Sequence, residues 1–225
     1  MKLLVDAFGG DNAPIEIIKG AVNALEADKD INIVLSGKQD VILKELEKYQ
    51  FDQNRIEILD AQDIISNDEQ PTLAIRAKKE SSLVKGLYRL KEDSEIAAMI
   101  SAGSTGAFLT GAMLILGRLD GIDRPALAPV LPTMTYGNTM LIDSGANMDC
   151  KPEYLVQFAV MGSAYMQAVH NIESPRVGLL SVGTEDEKGN AQTKAALELL
   201  KNAPINFLGN MEARDALSGE YDVLV

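Results

Sequence analysis

Short runs rich in Val, Ile and Leu recur along the chain: KLLV (2–5), INIVLS (31–36), RIEIL (55–59), EIAAMIS (95–101), TMLID (139–143), RVGLLSV (176–182), INFLG (205–209) and DVLV (222–225). Their length and branched content predict buried strands. Between them the hydrophobic period lengthens. Ile17, Ile18, Ala21, Val22 and Leu25 share one face of a helix over 14–27, and Val41, Ile42, Leu46 and Tyr49 do the same over 38–49. Pro14 suits the first turn of the first helix, where a missing N–H costs nothing. Residues 105–117 and 152–169 read as helices that are apolar on more than one side, which predicts burial on more than one face. Strand and helix alternate without a repeat, a low-complexity segment or a long linker. This order predicts an α/β protein, a three-layer α/β/α arrangement around a mostly parallel sheet.

In sheets of this kind ligands gather at loops leaving the carboxyl ends of strands. Four loops in that position have unusual polar content: DAFGGDNAP (6–14), SAGSTGA (101–107), DSGANMDCKP (143–152) and GTEDEKGN (183–190). In the second, Ser101, Gly103, Ser104, Thr105 and Gly106 form a hydroxyl-rich turn that opens into an apolar helix. Backbone N–H groups at a helix start, beside Ser and Thr hydroxyls, suit an anion such as phosphate. The glycine spacing matches neither the P-loop nor the dinucleotide fingerprint, so the turn names an anion and no reaction.

Composition narrows the classes. The 225 residues are 46% hydrophobic and 24% charged, enough for one large α/β domain or two closely joined lobes. Twenty-one Lys and Arg against 33 Asp and Glu leave a net charge of -12, which argues against nucleic acid as a partner. No apolar stretch reaches the roughly 20 residues of a membrane span, and Asp6 interrupts the N-terminus too early for a signal peptide. The single cysteine, Cys150, rules out an internal disulfide and fits a reducing cytoplasm. The chain stops on EYDVLV, a strand-like run without a following helix or polar tail, which predicts that the natural chain continues.

Taken together and in order, VDAFGGDNAP, PTLAIRAKKESS (71–82), SAGSTGA, LIDSGANMDCKPEYLVQFAVMGSAY (141–165), GLLSVGTEDEKGN (178–190) and NFLGNMEARD (206–215) resemble the bacterial phosphate acyltransferase family across essentially the whole chain. The resemblance implies a fold like that of isocitrate and isopropylmalate dehydrogenases and of phosphotransacetylase. It implies a single domain over 1–225, two lobes around a cleft, incomplete at its C-terminus because family chains continue past the strand matching YDVLV. The implied reaction moves a fatty acyl group from acyl-ACP to inorganic phosphate, giving acyl-phosphate for phospholipid synthesis with no cofactor and no metal. The implied partners are acyl carrier protein, inorganic phosphate, a second copy in a homodimer and a membrane-bound glycerol-3-phosphate acyltransferase. The implied location is cytoplasmic, peripheral at the membrane surface. The alternative for a shortened chain is a catalytically silent fragment or scaffold that binds acyl-ACP and membrane-associated acyltransferases. A metal-dependent dehydrogenase of the same fold is disfavoured because the dinucleotide fingerprint is missing.

That reaction requires phosphate to be held, its charge to be offset, and the oxyanion of the attacked thioester to be stabilised. Phosphate is itself the nucleophile, so the burden falls on positioning. By local sequence Lys188 is a solvated lysine beside Glu185, Asp186 and Glu187; the resemblance makes it the first candidate for contact with phosphate or oxyanion, with Asn190 of the same loop in substrate binding. Ser104, Thr105 and Gly106 either bind phosphate through hydroxyls and amides or cap the following helix, and both can hold at once. Asn147 can donate to an oxyanion, with Asp143 beside it in substrate binding; the competing reading is an Asx-type turn network through Asp143, Ser144, Asn147 and Asp149. In the first loop Gly9 and Gly10 allow tight geometry beside Asp6 and Asp11, and Asn12 reads as a helix cap. Asp6, Asp11, Asp143 and Asp149 do not sit in a dehydrogenase-like metal motif, so no metal is assigned. Cys150 and His170, the pair a thiol acyl-enzyme would need, read as a core thiol and a helix-end imidazole.

Residues 75–91 carry Arg76, Lys78, Lys79, Lys85, Arg89 and Lys91 against Glu80 alone. Such a run is commonly a solvated helix face. On an acidic protein it can also steer an acidic carrier protein. Arg76 and Lys79 are therefore candidates for binding phosphate or acyl-ACP.

Overall fold

A computed structural model describes all 225 residues, which divide into two compact units, Met1–Gly117 and Arg118–Val225. In the first unit β1 (Lys2–Asp6), β2 (Asn32–Gly37), β3 (Ile56–Asp60) and β4 (Ile96–Ile100) form an all-parallel sheet in the order β3-β2-β1-β4. The alternation of side chains sorts this sheet's two faces. Val5, Ile33 and Leu35 meet Ile18, Val22 and Leu25 of α1 (Ile15–Ala27) and Ile42 and Leu46 of α2 (Gln39–Leu46). Leu4, Val34 and Ile96 turn the other way, towards Leu90 of α4 (Ser82–Glu92). The result is three layers with β1 near the centre. Arg55 ties the end of α1 to the sheet, donating to the carbonyls of Leu25, Asp28 and Ile31.

The basic stretch is divided. α3 (Pro71–Ala77) ends before Lys78, and Ser81 caps α4 by accepting from the Val84 amide. α5 (Thr105–Gly111) is regular for only seven residues and then widens into a π-type turn over Ala112–Leu116. The helix expected over 105–117 is thus an α-helical turn followed by a looser coil. Gly111 permits this close packing: a Cβ there would fall 2.6 Å from Leu87 Cδ1.

In the second unit β5 (Val130–Pro132), β6 (Asn138–Leu141), β7 (Arg176–Ser181), β8 (Asn206–Glu212) and β9 (Val223–Leu224) form a sheet in the order β5-β6-β9-β7-β8. Only the β5–β6 pair is antiparallel. α6 (Pro152–His170) and α7 (Ala191–Leu200) share a core with one face of this sheet, in which Phe158, Met166, Leu197 and Leu200 meet Val177, Leu179 and Val223. On the other face Gly178 lets the Tyr221 ring lie against the strand, since a Cβ would come within 2.7 Å of it. The expected strands thus divide between two mostly parallel sheets. The register of β7 against β8 shifts between Val177 and Gly178, which pair with Phe207 and Gly209, so Leu208 is the extra residue of a bulge. No helix is long and apolar enough to cross a membrane.

Candidate active-site loops

In the first unit the loops after β1 and β4 interlock. Asp6, buried at the end of β1, accepts the Phe8 amide at 3.2 Å and the Ser101 hydroxyl at 2.8 Å, and Ser101 Oγ in turn accepts the Gly103 amide at 3.2 Å. Gly9 and Gly103 make the contact possible: a Cβ on Gly9 would sit 2.6 Å from Ser101 Oγ and 2.7 Å from Asp6 Oδ2. Asp6 and Ser101 are therefore scaffolding for the turn that follows. Asn12 is not the side-chain cap its position suggested. The cap of α1 is Pro14 with no side-chain bond, and Asn12 contributes its carbonyl to the Glu16 amide.

Ser104 caps α5, its Oγ accepting the Ala107 amide at 3.3 Å. As an acceptor there the hydroxyl keeps its own proton free to donate. Thr105 and Gly106 are exposed, with Pro71 of α3 lying against Gly106. In the basic stretch Lys78 pairs with Glu69 at 2.8 Å, Lys85 with Glu80 at 3.1 Å, Arg89 with Glu57 at 2.7 Å, and Lys91 donates to the Ile115 carbonyl. Arg76 and Lys79 are exposed and have no such partner.

In the second unit the loop after β6 is organised by Asp143. One carboxylate oxygen accepts the amides of Leu127 (2.8 Å) and Ala146 (3.2 Å); the other accepts the Asn147 amide (2.6 Å) and Asn147 Nδ2 (3.1 Å). Asn147 Nδ2 donates its second hydrogen to the Pro125 carbonyl at 2.9 Å. The turn-network reading thus accounts for both residues, and both Nδ2 hydrogens of Asn147 are engaged, one within the loop and one with Pro125. Cys150 lies half-buried near the end of this loop. Burial and the charges of Asp143 and Asp149 push its thiol pKa up, away from the reactive thiolate. His170 ends α6 (Pro152–His170), a helix about 27 Å long at 1.5 Å per residue, and Cys150 lies before the start of that helix, at its opposite end.

The loop after β7 carries Lys188. Its amide donates to the Glu185 carbonyl at 3.0 Å, and its stem lies over Gly183, where a Cβ would meet Lys188 Cγ at 2.9 Å. The expected acidic shield is partly withdrawn: Asp186 pairs with Lys201 of the turn after α7 at 2.7 Å. The Lys188 ammonium has no ion-pair partner. The other cation on the four loops, Lys151, has its ammonium over the Tyr154 ring. Gly189 takes φ +98°, and a Cβ there would collide with Thr193. Asn190 caps α7, its Oδ1 accepting the Thr193 amide at 2.9 Å while its Nδ2 is unengaged.

One residue near this loop was not singled out by sequence. Asn210 is 4% exposed on β8, and its Nδ2 donates to the Glu185 carbonyl at 2.9 Å. The signal was the bulge at Leu208 and the glycine after it, which simple strand alternation hides.

Residues 1–225 match the family described as "Fatty acid synthesis protein". Phosphate acyltransferases of Clostridium tetani and Clostridium acetobutylicum are each 50% identical to this chain over its whole length. The chain belongs to the phosphate acyltransferase family. It spans 67% of the length of those two relatives. Among solved structures, a phosphotransacetylase from Streptococcus pyogenes matches with a TM-score of 0.70 at 19% identity, covering all of this chain and 76% of the other. EutD phosphotransacetylase from Staphylococcus aureus matches with 0.65 at 16% identity, covering all of this chain and 77% of the other. These two show that the chain has an α/β/α fold similar to that of phosphotransacetylases.

Proposed function

We propose that this protein transfers a fatty acyl group from acyl-ACP to inorganic phosphate, releasing the carrier and giving acyl-phosphate for phospholipid synthesis. The observation that carries the reading is the unpaired ammonium of Lys188, on a glycine-flanked loop at the carboxyl end of β7. A cation held this way suits phosphate or the oxyanion that forms as phosphate attacks the thioester carbonyl. Electron pairs then move from phosphate oxygen to carbon, and on collapse the carbon–sulfur bond breaks and the pantetheine thiolate leaves. Ser104, Thr105 and Gly106 serve substrate binding, the Ser104 proton being free despite the cap. Asp143 serves it by holding its loop. In the Lys188 loop the unengaged Asn190 amide supplies a second donor. Asn147 can serve an oxyanion only by releasing Pro125 or Asp143, so its part is chiefly to hold the loop.

Arg76 and Lys79, unpaired on a chain of net charge -12, support an acidic carrier as the acyl donor. The reading extends to one phosphate acyltransferase domain comprising both units, kin in fold to isocitrate and isopropylmalate dehydrogenases. It also extends to a homodimer in the cytoplasm, peripheral at the membrane surface, that hands acyl-phosphate to a membrane-bound glycerol-3-phosphate acyltransferase. The test is trapping with hydroxylamine. Acyl-hydroxamate should form from acyl-ACP only when both protein and phosphate are present; its formation without phosphate would overturn direct attack.

A further inference from the structure

Strand alternation from Phe207, which faces the core shared with α6 and α7, would put Gly209 on that same face. The bulge at Leu208 moves the position on by one, so Asn210 pairs with Leu179, itself a core residue of that face. A polar side chain is thereby buried under the start of the Lys188 loop. There its Nδ2 donates to the Glu185 carbonyl, the same oxygen that accepts the Lys188 amide. Asn210 is thus one shared acceptor away from the backbone of Lys188.

The burial is costly. Asn210 Oδ1 has no hydrogen-bond partner, and neither does Ser181 Oγ at the end of β7. An orphaned buried acceptor disfavours the folded state, so an apolar side chain of the same shape would serve stability as well or better. What the amide supplies and an apolar group cannot is the donor to Glu185.

We infer that Asn210 is a positioning residue, which fixes the Glu185–Lys188 turn and through it the Lys188 ammonium. The inference rests on the reading of Lys188 as the group that meets phosphate or oxyanion.

Two variants of the full protein test it, Asn210→Leu, which keeps the volume and removes the donor, and Asn210→Asp, which offers a donor only when protonated. Trypsin cleaves after Lys188 as the loop opens. With one hydrogen bond gone, Asn210→Leu should be cut there roughly five- to tenfold faster than wild type, with its thermal midpoint nearly unchanged. Asn210→Asp should be cut faster than wild type at neutral pH, and the ratio of its rate to that of wild type at the same pH should fall back towards one as the pH falls. Turnover of Asn210→Leu should drop about tenfold or more, and adding the substitution to Lys188→Ala should cost nothing further. Cleavage and turnover at wild-type rates, or a loss that adds in full to that of Lys188→Ala, would overturn the inference. So would failure of both variants to fold, which would make Asn210 structural. Full activity of Lys188→Ala alone would instead sink the underlying catalytic reading, while the cleavage rates would still report whether the tether exists.

Discussion

Asp222, buried just before β9, grips Arg176 at the start of β7. Its carboxylate accepts from Nε (2.9 Å), Nη2 (2.9 Å) and the Arg176 backbone amide (2.8 Å). Burial works against the ionised Asp222, but the guanidinium and the amide outweigh it and hold its pKa below the ordinary 3.8. A lowered carboxylate pKa contributes stability that is present above that ordinary value and is lost as pH falls through the folded one. Asp222→Asn should therefore lower unfolding stability by about 1–3 kcal/mol at pH 7. The gap to wild type should narrow below about pH 4. Urea melts of both proteins across that range measure it, and a constant gap would mean that the pair's charge is irrelevant.

Lys188→Ala should reduce acyl-phosphate formation about a hundredfold or more, the scale of one lost oxyanion donor. Cys150→Ser should leave turnover largely intact. Intact-mass spectra of the protein incubated with acyl-ACP check the same point, because an acyl-enzyme on Cys150 would contradict direct attack by phosphate.

Asp143 gathers three backbone amides and the Asn147 side chain, so Asp143→Ala strips several donors at once. Its cost should be about 2–4 kcal/mol. Asn147→Ala removes two bonds and should cost less, about 1–2 kcal/mol. Chemical denaturation of the two variants gives the order, and a larger loss for Asn147→Ala would reverse the assigned hierarchy.

Arg76 and Lys79 are the free cations of the basic stretch, so reversing them to Glu breaks no internal ion pair. The double variant should raise KM for acyl-ACP and leave use of an acyl-CoA surrogate nearly unchanged. The wild-type advantage should fade with salt, since exposed charges are screened beyond about 8 Å at physiological ionic strength. Equal impairment with both thioesters would move these residues from carrier docking to phosphate contact.

Nothing in the proposed reaction calls for a cation other than side-chain ammonium and guanidinium groups. Activity should therefore survive EDTA; inhibition reversed by Mg²⁺ would refute this.

The hydrophobic runs gave away the strands because parallel strands buried on both faces are nearly continuous in Val, Ile and Leu. Val34, buried between Ile33 and Leu35 that face the other way, is such a case. β5 escaped notice because three residues ending in Pro132 carry too little pattern. α7 escaped because Ala196, Leu197 and Leu200 make a narrow stripe in a ten-residue helix. The site loops were legible as loops, through their glycines and hydroxyls. Which side chain does what was less so, since Asn147 and Asn190 look alike in sequence. Only the positions of Pro125, Asp143 and Thr193 show that the Nδ2 donor of one is engaged and that of the other free. Asn210 was hidden by a one-residue register shift.

The place of β9 has a consequence for how the molecule is made. Residues 223–224 follow every other strand in sequence, yet they lie between β6 and β7. As the chain leaves the ribosome, β5–β6 and β7–β8 can pair in advance, but each then presents an unpaired inner edge. The second unit's sheet can close only once residues 223–224 have emerged. Until then those two edges are the surfaces most in need of protection from other nascent chains.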